Sequence, residues 1–460
     1  MALPSLSPIQ IMGTKEPLII SHNENDDLEV SVKLEQYLRR SSSSGKQNTD
    51  ECGTTNLQTM VHIFKGNVGT GILSLPAAIK QAGIIVGPLG LILFAIITVH
   101  CMHLLVRCSH HFCKKLNIQA LSYGEVAEEC CRPYFRNKCR IAKFVVNIFL
   151  VITQFGFCAI YFVFIANTIV EVSGLEKKVD MRIIILALAP VAILFSFVRS
   201  LEKLSYVSVV ANVCCIGGLI MILQYLGRNF KDPHKYPAFT EWRGLPLFAS
   251  MTIFSFEGIG VILPLKNASK YPNDFTWVLN FAMAVVTALF LLVGIFGYIA
   301  IGDEISGSVT LNLPDNVLYG VVKYVYAMAI FLTLFIQFYV PMQIILPYLL
   351  AKFHIRRVWI LEYVFRASFM MFTCLCAIAI PQLENFISLI GSVSSSGLSL
   401  IFPPLIHIIT FQSKGLSKVL FVKDLFIILV GIAAFVLGGY FSIETIFWGF
   451  TANINATTTN

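Results

Sequence analysis

Two ionisable side chains, His62 and Lys65, lie inside an apolar stretch that runs from residue 60 to residue 79. Such groups are costly at membrane depth, and they are usually retained there because they take part in function. The imidazole of His62 titrates near neutral pH, so it is a candidate proton-coupling site. The alternative is a neutral His62 that hydrogen-bonds a neighbouring helix.

A carboxyl group, Glu257, lies in a second apolar run, Leu247–Pro264. Burial at membrane depth would favour its protonated form, which makes Glu257 a second candidate for proton coupling. Lys65 could instead form a structural ion pair with Glu257 that holds two helices together, and the carboxylate would then stay charged. The sequence leaves both roles open.

Glycines interrupt both apolar runs, and a proline follows each interruption. In hydrocarbon a helix can be interrupted only where the freed backbone groups are buried in protein or line a cavity. The N-terminus of a half-helix offers N–H groups to an anion, and the carbonyl end of the other half attracts a cation. We therefore predict that the two breaks form a binding site for a small solute.

The predicted substrate-binding residues lie in and beside these breaks. They are Gly66, Asn67, Gly69, Thr70 and Gly71 in the first run, and Phe254, Ser255, Phe256 and Gly258 in the second. Glycine lets ligand and backbone approach closely, so the first segment is expected to hold a carboxylate through N–H groups. The alternative is helix packing through small residues spaced four apart, with the phenylalanines as core or as an aromatic wall.

By composition, the chain that carries these residues is a multi-pass membrane protein. Of its 460 residues 56% are hydrophobic and 13% are charged, and its mean hydropathy is +0.74. Soluble domains are roughly one quarter charged. The net charge is +8, and we expect the basic residues to lie in loops, because cytoplasmic loops of membrane proteins are rich in Lys and Arg. The expected large partner is therefore the lipid bilayer and not a nucleic acid.

Apolar runs of about 20 residues predict an all-α polytopic fold with eleven transmembrane helices. The predicted spans are 56–80, 84–107, 141–171, 181–199, 204–226, 245–265, 276–301, 318–351, 358–380, 384–410 and 422–446. The third and the eighth are long, which predicts tilt or extension beyond the bilayer. This organisation assigns residues 1–53 to a disordered tail, residues 54–449 to the membrane domain and residues 450–460 to a second tail.

The distribution of Lys and Arg places the N-terminus in the cytoplasm, with segment 107–143 as the largest basic contribution. An odd number of spans then places the C-terminus outside the cell or in a lumen. Asn455 heads a sequon there and is the predicted glycosylation site. The sequon at Asn267 should be cytoplasmic and unmodified.

The two breaks lie five spans apart, and an odd offset inverts the second half of the domain relative to the first. Broken helices at matching positions of two inverted halves are the best sequence indication of a transporter's binding site. The predicted repeats cover about 56–226 and 245–410, with 422–446 as an extra span. The chain is thus predicted to have a 5+5 inverted repeat with broken first and sixth helices.

The remaining polar residues do not indicate the active site of an enzyme. The chain has 12 cysteines, mostly in spans or on the cytoplasmic side, so reduced thiols are expected. One His/Cys cluster near residues 100–113 falls short of the several that a di-iron enzyme needs, so no metal, no cofactor and no enzymatic activity are predicted. Serines of segment 391–397 could line a polar path or bond between helices. Gln154, Asn212, Gln337 and Tyr339 are further polar groups at membrane depth with no assigned role.

Several ordered motifs together are similar to the proton-coupled amino acid transporter family, within the amino acid and auxin permeases. They are His62 to Pro76, His110 to Cys113, Phe254 to Gly260, Gly307 to Pro314, Gln337 to Pro341 and Gly391 to Ser396. The resemblance covers about residues 55–450. It implies an inverted-repeat fold of the amino acid, polyamine and organocation type that carries small neutral amino acids with protons.

The resemblance also implies roles for individual residues. The histidine associated with proton coupling falls on His62, and the segments that bind the amino acid backbone fall on the glycine segment and on Phe254 to Gly258. The chain departs from many relatives in one respect. Residues 172–181 contain no cysteine, and Pro314 is followed by Asp315 and Asn316, so the extracellular disulfide of those relatives must be absent.

These observations predict symport of small neutral amino acids, of the glycine, alanine and proline class, with protons by alternating access. The membrane is predicted to be the plasma membrane or a lysosomal or endosomal membrane. One alternative is an amino acid sensor in the lysosomal membrane that signals through cytoplasmic partners of the N-terminal tail. A sodium-coupled or facilitative carrier is another, because a Na⁺ site built from carbonyls leaves no sequence motif.

Overall fold

A computed structural model describes the chain over residues 53–134, 138–174, 179–198, 201–352, 358–412 and 415–458. Side chains within 201–208, 350–352 and 449–458, and that of residue 358, lie outside the described part. The predicted N-terminal tail also lies outside the described residues, apart from Gly53. The side chain of the predicted glycosylation site Asn455 does so too.

The described chain is all-helical. Its α-helices are α1 (Asn56–Asn67), α2 (Thr70–Ala82), α3 (Val86–Leu116), α4 (Tyr123–Cys131), α5 (Cys139–Val172), α6 (Met181–Ser196), α7 (Leu201–Arg228), α8 (Gly244–Ser255), α9 (Ile259–Ala268), α10 (Phe275–Ile301), α11 (Val317–Lys352), α12 (Val358–Ala379), α13 (Leu383–Ile390), α14 (Phe402–Phe411), α15 (Lys418–Ala433) and α16 (Gly439–Thr458). Three short 3₁₀ helices lie at Pro233–Lys235, Gly302–Glu304 and Val309–Asn312. Pi-helical turns at Gly391–Ser395, Gly397–Ile401 and Ala434–Gly438 join the last four α-helices in pairs.

Within the described residues, nine helical segments are long and apolar enough to cross a membrane. The chain is therefore a multi-pass integral membrane protein, as predicted. The broken pair α1 and α2, of 12 and 13 residues, and the 16-residue helix α6 are shorter than a full span. The number of eleven spans stays a prediction.

The first predicted break lies between α1 and α2. α1 begins at a capping box, in which the Thr55 side chain accepts from the Gln58 backbone N–H while the Gln58 side chain accepts from that of Thr55. It ends at Asn67, and an extended Val68 and a bend at Gly69 precede α2, which begins at Thr70. The first N–H groups of α2 have no side-chain cap, so they are free to bind an anion.

The second predicted break lies between α8 and α9. α8 ends at Ser255, and α9 begins at Ile259 after a three-residue connection. Backbone bonds within the connection are short-range: Glu257 N–H donates to Phe254 O at 3.1 Å, and Gly258 N–H donates to Phe256 O at 2.9 Å. The predicted broken first and sixth helices are both present.

The helices that matter for the site form two groups. In the first, which we call the bundle, α2 packs against α8 and α10, while α1 and α3 pack against α10. In the second, which we call the frame, α5 packs against α11 and α12, and α6 packs against α12. The broken helices belong to the bundle, and the two longest helices, α5 and α11, belong to the frame.

The start of α1 is attached to the end of α9 by backbone hydrogen bonds. Thr54 N–H donates to Ala268 O at 2.9 Å, and Lys270 N–H donates to Thr54 O at 3.0 Å. A Cβ atom on Gly53 would lie 2.8 Å from the Lys270 backbone, so glycine permits this approach. The two half-helices α1 and α9 are therefore joined at the end of the molecule where the described chain begins.

An ion pair connects the end of α5 with α11 and the loop before it. Lys323 Nζ lies 2.5 Å from a Glu171 carboxylate oxygen and 3.5 Å from an Asp315 oxygen. The Lys323 side chain is 1% exposed, which makes this a buried contact. The cysteines within the described residues are free thiols.

The predicted end of the last span differs from the structure. The long third and eighth spans are present as the 34-residue α5 and the 36-residue α11. The last helix, however, continues to Thr458, beyond the predicted end of its span at residue 446. Hydropathy detects where apolar sequence ends, but a helix without glycine or proline after residue 449 can continue into polar sequence.

Candidate functional site

A cavity of about 360 Å³ lies between the bundle and the frame, beside both helix breaks. Its walls come from α1, α5, the α8–α9 connection with α9, and α11. The lining residues are His62, Lys65, Gly66, Leu150, Thr153, Gln154, Phe157, Glu257, Gly258, Gly260, Val261, Leu265, Thr333, Ile336, Gln337, Tyr339 and Val340. The cavity thus joins residues of both predicted breaks with residues of two unbroken helices.

His62 and Lys65 reach the cavity because they lie three residues apart on α1 and so share one helix face. Lys65 is half-buried and has the Cys215 thiol of α7 among its neighbours. Within the described chain Lys65 makes no ion pair. A basic side chain that forms no ion pair with the described residues therefore faces the cavity.

Glu257 is 7% exposed and lies in the connection between α8 and α9. Its carboxylate accepts a hydrogen bond of 2.8 Å from Ser399 Oγ. The structural ion pair of Lys65 with Glu257 is not formed in this structure, although both side chains line the cavity. The Ser399 hydroxyl satisfies part of the hydrogen-bonding capacity of this buried carboxyl group.

The two breaks are in direct contact. Ser255 Oγ lies within hydrogen-bond distance of Gly71 O, at 3.1 Å, and of Met251 O, at 2.9 Å. A Cβ atom on Gly71 would lie 2.9 Å from Ser255 Cα, and one on Gly258 would lie 2.8 Å from the Asn67 amide nitrogen. The glycines therefore serve helix packing, which was the alternative reading of their spacing, and packing does not exclude binding.

Some polar atoms at the first break have no hydrogen-bond partner among the described residues. Asn67 donates to Ile63 O at 2.8 Å, but its amide oxygen is buried and unpaired. Thr70 Oγ1 is also buried and unpaired. Together with the uncapped N–H groups of α2, these atoms offer hydrogen bonds that a bound solute could accept or donate.

Aromatic side chains lie beside the cavity and the first break. The ring of Phe157 on α5 lies 4.9 Å from that of Phe254 on α8 and 6.4 Å from that of Tyr161. Tyr326 of α11 donates a long hydrogen bond of 3.5 Å to Gly69 O. Phe157 lines the cavity, while Phe254, Tyr161 and Tyr326 are buried behind it.

The predicted site residues therefore divide into two sets. His62, Lys65, Gly66, Glu257 and Gly258 line the cavity. The others, which do not line it, are Asn67, Gly69, Thr70, Gly71, Phe254, Ser255 and Phe256. Phe256 is fully buried with its ring 4.9 Å from that of Phe290, so it is a core residue in this structure.

The frame contributes residues that the sequence alone did not assign to the site. Gln154, Gln337 and Tyr339 were recognised only as polar groups at membrane depth, and Thr153 and Thr333 were not singled out. Thr333 and Gln337 are four residues apart in α11. Polar residues at that spacing in an apolar helix are a usable signal, because they place one polar stripe on one face.

The His/Cys cluster is dispersed over ordinary contacts. His103 Nε2 lies 2.6 Å from Asn280 Oδ1, and Cys108 is buried in the core. Within the residues described, no three His, Cys, Asp or Glu side chains converge on a point that could hold a metal ion.

The comparison with known proteins agrees with the interpretation drawn from the geometry of the site. The chain matches a family model described as transmembrane amino acid transporter protein over residues 53–444. It is 33% identical over 413 residues to the Drosophila melanogaster protein "Proton-coupled amino acid transporter-like protein pathetic", with 87% of each chain covered. It is 29% identical over 421 residues to the Caenorhabditis elegans protein "Probable amino acid transporter skat-1", covering 86% of this chain and 91% of that one.

A structural match is found to a solved Na⁺-coupled sialic acid symporter in a substrate-bound, outward-open state. The TM-score is 0.49 at 13% sequence identity, with 91% of this chain and 97% of that chain covered.

Proposed function

Because the chain belongs to the transmembrane amino acid transporter protein family, we propose that it carries small neutral amino acids together with protons across its membrane. The observation that carries this proposal is the cavity at the two breaks, where His62, Lys65 and Glu257 face the same space. It offers positive, negative and titratable groups within a small volume. An amino acid zwitterion has the matching charges, and the curated Drosophila relative carries proton coupling in its name.

The proposed binding mode uses the break geometry. The substrate carboxylate accepts hydrogen bonds from the uncapped N–H groups at the start of α2, and the ammonium group is oriented towards carbonyls of the α8–α9 connection. The aromatic rings of Phe157 and Phe254 lie beside the breaks, and we infer that they favour a substrate with a small side chain. Glycine, alanine and proline are therefore the proposed class.

Alternating access is proposed as a movement of the bundle relative to the frame. The cavity extends from the breaks along α1 and α9, towards the end where Thr54 and Lys270 are joined. The aromatic residues lie at its other side. We propose that this end faces the cytoplasm, in agreement with the basic loops, and that the aromatic layer closes the opposite pathway.

The proton is proposed to bind at His62 or at Glu257. A neutral substrate that travels with a proton moves net positive charge, so transport should be electrogenic and stronger when the external side is acidic. Proton binding at either group would bias the loaded protein towards inward release.

The test is uptake of labelled glycine, alanine and proline at about pH 5.5 and about pH 7.5 without sodium, in cells or in proteoliposomes. The wild-type chain should show acid-stimulated uptake with inward current. His62→Ala and Glu257→Gln identify the coupling group, and His234→Ala, in an exposed turn, is the matched histidine control. Absence of any proton-linked current with a correctly localised wild-type protein would refute the proposal, and uptake that depends on sodium would indicate the sodium-coupled alternative.

A second candidate function is an amino acid sensor that signals through cytoplasmic partners of the N-terminal tail. The hydrogen bonds of Thr54 with Ala268 and Lys270 favour it, because they connect the beginning of α1 to the second broken helix directly. Deletion of residues 1–52 distinguishes the two functions: a transporter keeps its flux, whereas a sensor loses its signal. The same comparison in plasma-membrane and lysosomal fractions determines where the protein acts.

A further inference from the structure

The serine-rich segment between α13 and α14 contains one hydroxyl that differs from its neighbours. Ser392 and Ser394 donate to carbonyls of their own helix, Leu389 O at 3.0 Å and Ile390 O at 3.2 Å. Ser399 donates instead to the carboxylate of Glu257 on the opposite broken helix. The segment thus makes a side-chain contact with the cavity wall.

Close packing holds this segment in place against the broken helix. A Cβ atom on Gly391 would lie 2.0 Å from Ser250 O of α8, and one on Gly397 would lie 2.5 Å from the Phe149 ring of α5. Larger residues at these two positions would separate the helices. The glycines and the pi-helical turns together bring Ser399 within hydrogen-bond distance of Glu257.

A second hydroxyl lies beside the same carboxyl group. Ser395 is four residues before Ser399, is fully buried, and lies close to the Glu257 carboxyl group. Its Oγ has no hydrogen-bond partner within the described chain. A hydroxyl can donate to a carboxylate and can accept from a carboxylic acid, so this pair of serines can serve Glu257 in both protonation states.

Apart from Ser395, the described groups that face Glu257 make no hydrogen bond to its carboxyl group. His62 and Lys65 of α1 line the same cavity, as does Tyr339 of α11. Tyr123 of α4 lies near the carboxylate, but its hydroxyl donates to Leu398 O at 2.8 Å. Among the described residues, Ser399 therefore makes the well-defined hydrogen bond to the Glu257 carboxyl group, and Ser395 lies close beside it.

We propose that Ser399 is a positioning residue for proton coupling: its hydroxyl orients the Glu257 carboxyl group towards the cavity and sets the pH range over which that group exchanges its proton. This inference rests on the proposed function and, within it, on Glu257 as the group that exchanges the proton. It assigns the serine-rich segment to the transport site.

Ser399→Ala should move the pH dependence of uptake to more alkaline values. Removing the donor weakens stabilisation of the carboxylate but not of the carboxylic acid, so the proton is retained at higher pH. The midpoint should shift by roughly one pH unit, the size expected for one hydrogen bond to a charged group. Ser399→Cys, which keeps a weaker donor of similar volume, should shift it less.

The matched control is Ser394→Ala, which removes a buried hydroxyl of the same segment that bonds only its own helix. It should leave the midpoint unchanged. In a Glu257→Gln background, Ser399→Ala should cause no further shift. A normal midpoint in a folded Ser399→Ala protein, or equal shifts in both alanine variants, would overturn the proposal.

Infrared difference spectroscopy of the purified protein during a pH change separates this proposal from the proposed function. The carboxylic acid band that disappears in Glu257→Gln belongs to Glu257, and it should change frequency in Ser399→Ala because a hydrogen bond is lost. This readout needs no transport, so a wild-type protein without proton-linked flux would refute the function while the band still tests the contact. If Ser399→Ala does not fold, an unchanged band in Ser399→Cys overturns the proposal.

Discussion

Glu257 is retained at membrane depth by a hydroxyl and not by a counter-ion, although a lysine lines the same cavity. The carboxylate accepts from Ser399 at 2.8 Å, and Lys65 remains unpaired in the described part of the chain. Ionisable groups that line one cavity without pairing with each other are available to a substrate or a proton. At the scale of residues, this arrangement is the one expected of a binding cavity and not of a structural ion pair.

Glu257→Gln is expected to fold normally and to change proton dependence. Gln keeps an acceptor for Ser399, and no ion pair is removed, so the free energy of unfolding should change by less than about 1 kcal/mol. Removal of one partner of a buried ion pair typically costs about 3–5 kcal/mol. Thermal unfolding of the purified protein and pH-dependent uptake measure the two effects, and reduced abundance with unchanged pH dependence would indicate a structural role.

Gly71→Ala should destabilise the contact between the two breaks. The added Cβ would lie 2.9 Å from Ser255 Cα, so the backbones must separate, at a cost of about 1–3 kcal/mol. Gly217→Ala is the matched control, because a Cβ there meets nothing within 4 Å. Thermal unfolding should show a loss for Gly71→Ala and no loss for Gly217→Ala, and uptake should fall only for the first.

At the scale of elements, the two longest helices of the frame are connected by an ion pair with a buried lysine. Glu171 lies at the end of α5, Lys323 lies in α11, and Asp315 comes from the loop before α11. A contact of this kind resists reductants but depends on charge. It connects these two regions without any cysteine in residues 172–181.

Lys323→Met should destabilise the protein by up to about 3–5 kcal/mol, because it leaves the Glu171 carboxylate, which is 14% exposed, without its counter-charge. Asp315 is 89% exposed and should contribute little to this cost. Lys418→Met, at an exposed position at the start of α15, is the matched control and should have little effect. Thermal unfolding of both variants is the measurement. Equal stability of the two proteins would contradict a role for this contact in the frame.

For the whole molecule, the decisive feature is that the cavity has one wall from the bundle and one from the frame. The hydrogen bonds of Thr54 with Ala268 and Lys270 join α1 to α9 within the bundle. The two half-helices beside the cavity are therefore expected to move as one body. Opening and closing would then occur between the groups of helices, and not by release of α1 alone.

Cross-linking tests this movement. A disulfide between Thr54→Cys and Ser269→Cys, which face each other in the backbone bridge, should leave uptake largely intact because it lies within the bundle. A bifunctional reagent between Leu265→Cys and Val340→Cys, on opposite walls of the cavity, should abolish uptake reversibly. Both pairs are made in a background without other reactive cysteines. Loss of uptake with the first cross-link would show that α1 moves by itself.

Apolar periodicity and local chemistry determined much of this protein from the sequence. Long apolar runs predicted an all-helical membrane protein, and glycines near His62, Lys65 and Glu257 predicted two broken helices. Both signals are local, because a span needs continuous apolar sequence and a break needs residues that tolerate unpaired backbone. The motifs also identified the family correctly.

Only the tertiary structure decided which side chains meet. Whether Glu257 contacts Lys65 or Ser399 depends on the distances between helices. Glu257 and Ser399, for example, are 142 residues apart in the chain. The division of the predicted binding residues into cavity wall and packed core likewise depends on how closely α2 and α8 approach. Sequence spacing specifies the face of a helix on which a residue lies, but helix packing determines what that face contacts.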